Sequence, residues 1–164
     1  MSQKQNVKAM PPGFHTVTPS LVLKDAARAI EFYRKAFGAE EVMRMPGPGG
    51  RGVMHAEIRI GDSLIFLGDE WPGFDCKSPE SLGGSSGALH LYVADVDAAM
   101  KRAIAAGARE TMPIADMFWG DRYGKVRDPF GHTWGIATHT EDLSPEEIDR
   151  RGKAFLESMS KGNA

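Results

Sequence analysis

An α+β fold of two tandem βαβββ modules followed by a short C-terminal helix is predicted by three features of the chain. These are an internal repeat, a change of apolar spacing from every second residue to every third or fourth and back within each copy, and glycine or proline at the junctions. LVLKDAARAIEFYRKAFGA, starting at Leu21, matches LYVADVDAAMKRAIAAGA, starting at Leu91, with Asp25 over Asp95 at a shift of 70 positions. The closing pairs Gly38-Ala39 and Gly107-Ala108 stand at a shift of 69, as expected if one residue is missing from the second helix.

Each copy opens on an alternating strand. In the first, Val17, Pro19, Leu21 and Leu23 form the apolar row, with Thr16, Thr18 and Ser20 opposite; in the second, Leu89, Leu91 and Val93 oppose Ala88, His90 and Tyr92. Asp25 and Asp95 end these strands and can cap the next helix by accepting backbone N–H groups. Ala26, Ala29, Ile30, Tyr33 and Phe37 then form one apolar stripe, and Val96, Ala99, Met100, Ala103 and Ile104 the other. Gly38 and Gly107 stop the helices, since glycine takes the left-handed cap conformation without a Cβ penalty. Strands follow over Glu40–Met45, Val53–Ile60 and Ser63–Leu67, then over Arg109–Met117, Tyr123–Arg127 and Thr133–Thr138.

Pro46-Gly47-Pro48-Gly49-Gly50 reads as a flexible loop, Gly61-Asp62 as a hairpin turn, and Trp71 to Ser86 as a long connection between modules. Ser144-Pro145-Glu146-Glu147 is a capping box that opens a helix through about Ser158. The organisation is thus an N-terminal tail at 1–13, a domain at 14–142 with modules about 14–70 and 87–139, and a C-terminal helix and tail at 143–164. A module of this size has a marginal core alone, and pairing two completes the fold.

The 164 residues carry 20 Lys and Arg against 22 Asp and Glu, a formal charge of −2 without long basic runs, which argues against nucleic acid as a partner. One cysteine, Cys76, rules out an internal disulfide and a paired-cysteine zinc site. Met1 to Met10 lack the apolar stretch of a signal peptide, and no apolar run approaches the ~20 residues that span a bilayer. A cytoplasmic protein without a membrane partner is expected.

Strand alternation leaves one sheet face polar: His55, Glu57 and Arg59 oppose Met54, Ala56, Ile58 and Ile60. Such a face is either plain solvated surface or the lining of a binding cup. His55, Glu57 and His90 are the candidates for acid–base chemistry, although Glu57 also suits a solvated charge row with Arg59. No serine or cysteine sits in a nucleophile elbow, and the PGPGGRG stretch lacks the Lys-Ser or Lys-Thr of a phosphate loop.

The repeated modules, the LKDAARAIEFYRKAFG and LYVADVDAAMKRAIAAGA stretches and the closing DPFGHTWGIATH segment resemble the vicinal-oxygen-chelate superfamily of glyoxalase I, bleomycin-resistance proteins and extradiol dioxygenases. The MHAEIRIGDSLIFLGDE, MFWGDRYG and DPFGHTWGIATH runs are most similar to its PhnB-like branch, and the likeness covers about Phe14 to Asp142. The resemblance implies an eight-stranded sheet curled around a cleft, helices outside, and a homodimer in which modules can be exchanged. It also implies four metal ligands, one each from the first and last strands of each half. Those positions fall on Thr18, Phe66, Ala88 and Gly135, a set with no imidazole or carboxylate.

No cofactor is therefore expected, and the cup is expected to bind a small organic molecule by shape and hydrogen bonding. Thr18, His55, Glu57, His90, Tyr92, Trp119, Arg122 and Tyr123 are the candidate ligand-binding residues. Trp119 and Tyr123 would stack on the ligand and Arg122 would meet an anionic group, unless the aromatics only cover a rim or an interface. His132 and Trp134 are expected to be structural, and His15 and His139 carry no signal. The competing reading is a metal-dependent lyase, isomerase or dioxygenase whose displaced ligands centre on His90, His55 and Glu57. A third is an interaction module in which the helix after Ser144 recruits a partner.

Overall fold

The structure, a computed structural model, describes residues 7–162, so the first part of the predicted N-terminal tail and the last two residues lie outside it. The described chain divides into two compact units that meet in sequence between Gly84 and Ser85. In the first, strand β1 (Ser20–Leu23) leads to helix α1 (Ala26–Phe37), then β2 (Glu40–Pro46), β3 (Val53–Ile60), β4 (Ser63–Asp69) and a one-turn helix α2 (Pro79–Leu82). In the second, β5 (Ala88–Tyr92) leads to α3 (Val96–Ala106), β6 (Arg109–Asp116), β7 (Asp121–Arg127), β8 (Thr133–His139) and α4 (Pro145–Gly162).

Each unit holds one four-stranded mixed sheet, in the orders β1-β4-β3-β2 and β5-β8-β7-β6. The last strand of each βαβββ module lies parallel to its first, and the other pairings are antiparallel. The helix crosses one face of the sheet, and the core forms there. Leu23, Ile30, Tyr33, Ile58 and Leu67 are fully buried in the first module, as are Val96, Val126, Trp134 and Ile136 in the second.

The helix boundaries follow the local chemistry. Asp25 Oδ1 accepts from Arg28 N at 3.0 Å and Asp95 Oδ1 from Ala98 N at 2.9 Å. Gly38 and Gly107 take the left-handed cap conformation, with φ of 69° and 117°. Ser144 Oγ accepts from Glu147 N at 3.2 Å, and α4 continues to Gly162, one turn beyond the expected end.

Three expectations change. Pairing of the first strand begins at Ser20, and Val17 is 80% exposed instead of buried, because Pro19 has no N–H to give and only its carbonyl joins the ladder, accepting from Phe66 N. The proline-glycine loop contains a 3₁₀ turn at Pro48–Gly50 that was not expected, and Gly47 lies so close to the Trp71 ring that a Cβ there would stand 2.4 Å from it. The connection between modules is also anchored. Glu70 accepts from both the backbone N–H and the hydroxyl of Ser78, which hold its carboxyl down at about 2.

Asp128 organises the turn between β7 and β8. Its Oδ1 accepts from Phe130 N and His132 N, both at 2.9 Å, and its Oδ2 from the Trp134 indole N–H at 3.0 Å. Asp128, His132 and Trp134 are all buried. Removing the carboxylate leaves three buried donors without this acceptor, so Asp128→Ala is expected to lower stability by about 3 kcal/mol in urea unfolding followed by tryptophan fluorescence.

Candidate functional site

The sheet face away from the helix carries most of the predicted polar residues, Arg122 excepted. In the first, Thr18 and Glu57 line an open groove of about 590 Å³ together with Met10, Phe14 and Phe66. Most of the lining comes from the segment before β1, with Glu57 from β3 and Phe66 from β4. Phe66 is its aromatic floor: Phe14 packs against it at a ring separation of 5.8 Å and His55 meets it edge-on at 4.9 Å. His55 Nε2 approaches Glu57 Oε1 at 3.4 Å, and their side chains are 32% and 18% exposed.

In the second module the same face is a row of rings. His90 stacks on Tyr123 at 5.4 Å with an interplanar angle of 7°, Tyr92 lies 4.6 Å from His90, and Trp119 lies 5.7 Å from Tyr123. The row continues through Phe118 to Phe155 of α4. Tyr123 also covers Gly135, where a Cβ would stand 2.7 Å from its ring. Four predicted residues, His90, Tyr92, Trp119 and Tyr123, are thus brought together.

Arg122 is not among them. Neighbours on a strand project to opposite faces, and its guanidinium reaches Asp97 of α3 at 2.8 and 2.9 Å and Asp116 at 3.1 Å. These two carboxylates push its pKa further up, so Arg122 fixes α3 to the sheet and is not placed beside Tyr123 to meet an anionic ligand.

Sequence reasoning missed the most connected group in this module. Asp121, 3% exposed, accepts from the Tyr92 hydroxyl at 3.0 Å, the Trp119 indole N–H at 2.9 Å and His139 Nδ1 at 2.8 Å. Burial raises its carboxyl pKa, but these donors together outweigh burial and hold it below the usual aspartate range. His139 Nε2 also meets Asp142 Oδ1 at 2.9 Å. The signal was faint: Asp121 lies in the MFWGDRYG run, but its pairing with His139 depends on strand register.

The four positions that correspond to family metal ligands can now be tested. In the first module they are a threonine and a phenylalanine whose ring is packed by Phe14 and His55; in the second, an alanine and a glycine under Tyr123. These groups do not fit a divalent cation. Among the described residues, no group of three or more His, Cys, Asp or Glu side chains is placed to hold a metal ion.

His139 has its pKa raised, first by the hydrogen bond to Asp121 and then by that to Asp142. Only the imidazolium can donate to both carboxylates. Its contribution to stability is therefore complete below the unfolded histidine value of about 6.5 and is lost as pH rises through the higher folded value. An NMR titration is expected to place the His139 midpoint above 6.5, and Asp142→Asn is expected to bring it down.

The family model of the Glyoxalase/Bleomycin resistance protein/Dioxygenase superfamily matches residues 13–136. An uncharacterized protein of Mycobacterium bovis is 45% identical over 149 residues, which cover 89% of this chain and 95% of that one. The solved structure of an Arabidopsis thaliana gene product is 32% identical with a TM-score of 0.60, covering 76% of this chain and 98% of that one. A PhnB protein of Bacillus cereus shares the fold at a TM-score of 0.60 and 16% identity, covering 76% and 99%. Two βαβββ modules in tandem, the motif order read from the sequence and these matches lead to one conclusion: the chain belongs to the glyoxalase/bleomycin resistance protein/dioxygenase superfamily.

Proposed function

We propose that this protein binds a small organic molecule on the polar faces of its sheets and does so without a metal. The observation that supports this reading is the chemistry at the four ligand positions, where Thr18, Phe66, Ala88 and Gly135 offer one hydroxyl and no imidazole or carboxylate. The groove of about 590 Å³ in the first module has the size and the mixed apolar and polar lining of a small-molecule site. The ring row of the second offers stacking surface that is already ordered, so little side-chain entropy is lost on binding. The proposed contacts are Thr18, His55 and Glu57 in the first module and His90, Tyr92, Trp119 and Tyr123 in the second.

We further propose a cytoplasmic homodimer. Val42, Met43 and Met45 of β2 are 43%, 42% and 47% exposed, an apolar display on an edge strand that a second copy would cover. Among the described residues no helix is long and apolar enough to cross a membrane. Sedimentation at micromolar concentration is expected to give twice the chain mass; a monomer would remove the dimer and leave the binding reading intact.

Metal analysis of tag-free protein tests the central reading. Divalent metal is expected well below one ion per chain, and a chelator is expected to leave the melting temperature unchanged, because a ligand that binds the native state tightly would lower it on removal. One tightly held ion per chain, lost with a fall in melting temperature, would instead favour a lyase, isomerase or dioxygenase with displaced ligands at His55, Glu57 and His90.

A further inference from the structure

We propose that the groove of the first module takes an organic cation, a protonated or quaternary amine carried on an aromatic or apolar body. This rests on the reading of that face as a small-molecule site and names the class of ligand. Glu57 supplies the carboxylate of the groove, and among the described residues no lysine or arginine lines it. Its side chain is only 18% exposed, and among the described residues it meets one hydrogen-bond partner, His55, at a long 3.4 Å.

A carboxylate drawn this far out of water is normally satisfied by several donors or by a counter-charge, and the cost of leaving it short falls on any occupant that excludes the remaining water. A neutral occupant would desolvate Glu57 without replacing its hydrogen bonds. An anion would add repulsion. An ammonium restores the missing partner, and two rings of the groove lining, Phe14 and Phe66, 5.8 Å apart and tilted at 58°, are aromatic groups of the kind that attract a cation. Met10 and Pro11 extend the wall as apolar surface for the body of the ligand. Among the described residues His15 is the one histidine of the groove lining, and His55 lies two residues from Glu57 on the same strand. His55 is the group already facing Glu57, and His15 turns its Nε2 to the Asp62 carbonyl at 3.3 Å.

Three probes of one shape and different charge separate the possibilities: benzyltrimethylammonium, benzyl alcohol and phenylacetate, each titrated into the full chain. Binding is read from the amide NMR shifts of Phe14, Thr18, Glu57 and Phe66 and from calorimetry. The cation is expected to bind best, to weaken as salt is raised, and to lose about tenfold or more in affinity in Glu57→Gln, which keeps the side-chain shape. Equal binding of the three probes, preference for phenylacetate, or an unchanged affinity in E57Q would overturn the cation assignment while leaving the groove as a small-molecule site. Absence of any groove shift with all three probes at millimolar concentration would overturn both. The comparison of probes on the unaltered chain holds even if E57Q does not fold.

Discussion

In each module the last strand lies parallel to the first, and that pairing brings one polar side chain against the start of the helix. Asp69, at the end of β4, accepts from Ala26 N in the first turn of α1 and from Val53 N at the start of β3, both at 2.7 Å. Thr138, near the end of β8, accepts from Val96 N at 2.8 Å and donates to the Val93 carbonyl at 3.0 Å. The two residues occupy the same place in the repeat. The first N–H groups of a helix have no partner within it, so a side chain from the sheet that takes one fixes where the helix begins and how it lies on the strands. The apolar stripe then meets the sheet in one register, and the opposite face is left to carry polar groups. What the outer face can do is therefore decided by a contact made on the inner one.

Given this shared frame, the polar faces have diverged. Phe66 pairs with Glu57 across the first sheet as Gly135 pairs with Lys125 across the second, so the two positions are equivalent. In the first module the last strand supplies a ring, and His55 packs on it; in the second it supplies a glycine, and the ring comes from Tyr123 on the neighbouring strand. At Phe66 and Gly135, aromatic surface fills the places from which the ligands implied by the family resemblance would project. Restoring a ligand at Gly135 would require displacing Tyr123 and breaking its stack on His90. The residues at Phe66 and Gly135 are therefore tied into the packing around them and do not stand as isolated changes of letters.

The module and C-terminal helices, the caps of α1 and α3, the βαβββ succession of each module and most of the polar outer faces were legible because they rest on local periodicity and on residues with one strong conformational preference. Asp25, Gly38, Asp95 and Gly107 perform the roles their chemistry requires. What was not legible depended on contacts between distant strands. The pairing of Asp121 with His139 follows from strand register, and the ring of Phe14 over Phe66 from the path of a segment outside the repeat. Arg122 stands close to Trp119 and Tyr123 in sequence, but alternation places it on the opposite face from Tyr123, where it meets Asp97. The early start expected for β1 ignored that Pro19 cannot donate to a ladder. The short helix α2, inside the connection between modules, carried too little periodicity to be read.

The two buried or half-buried carboxylates of the outer faces stand in opposite states. Asp121 is saturated, with donors from β5, β8 and the turn before β7, so it fixes Tyr92 and Trp119 in place and has little capacity left for an incoming donor. Among the described residues Glu57 meets one hydrogen-bond partner, the His55 imidazole at 3.4 Å, and lines the groove with Phe14 and Phe66. A saturated acid rigidifies the surface that surrounds it, whereas an unsaturated one gains most from a partner not yet present. The charge selectivity proposed above therefore rests on the first module, and the stacking surface proposed above on the ring row of the second. This division follows from which carboxylate has its hydrogen bonds already filled, although the two modules descend from one pattern and share one frame.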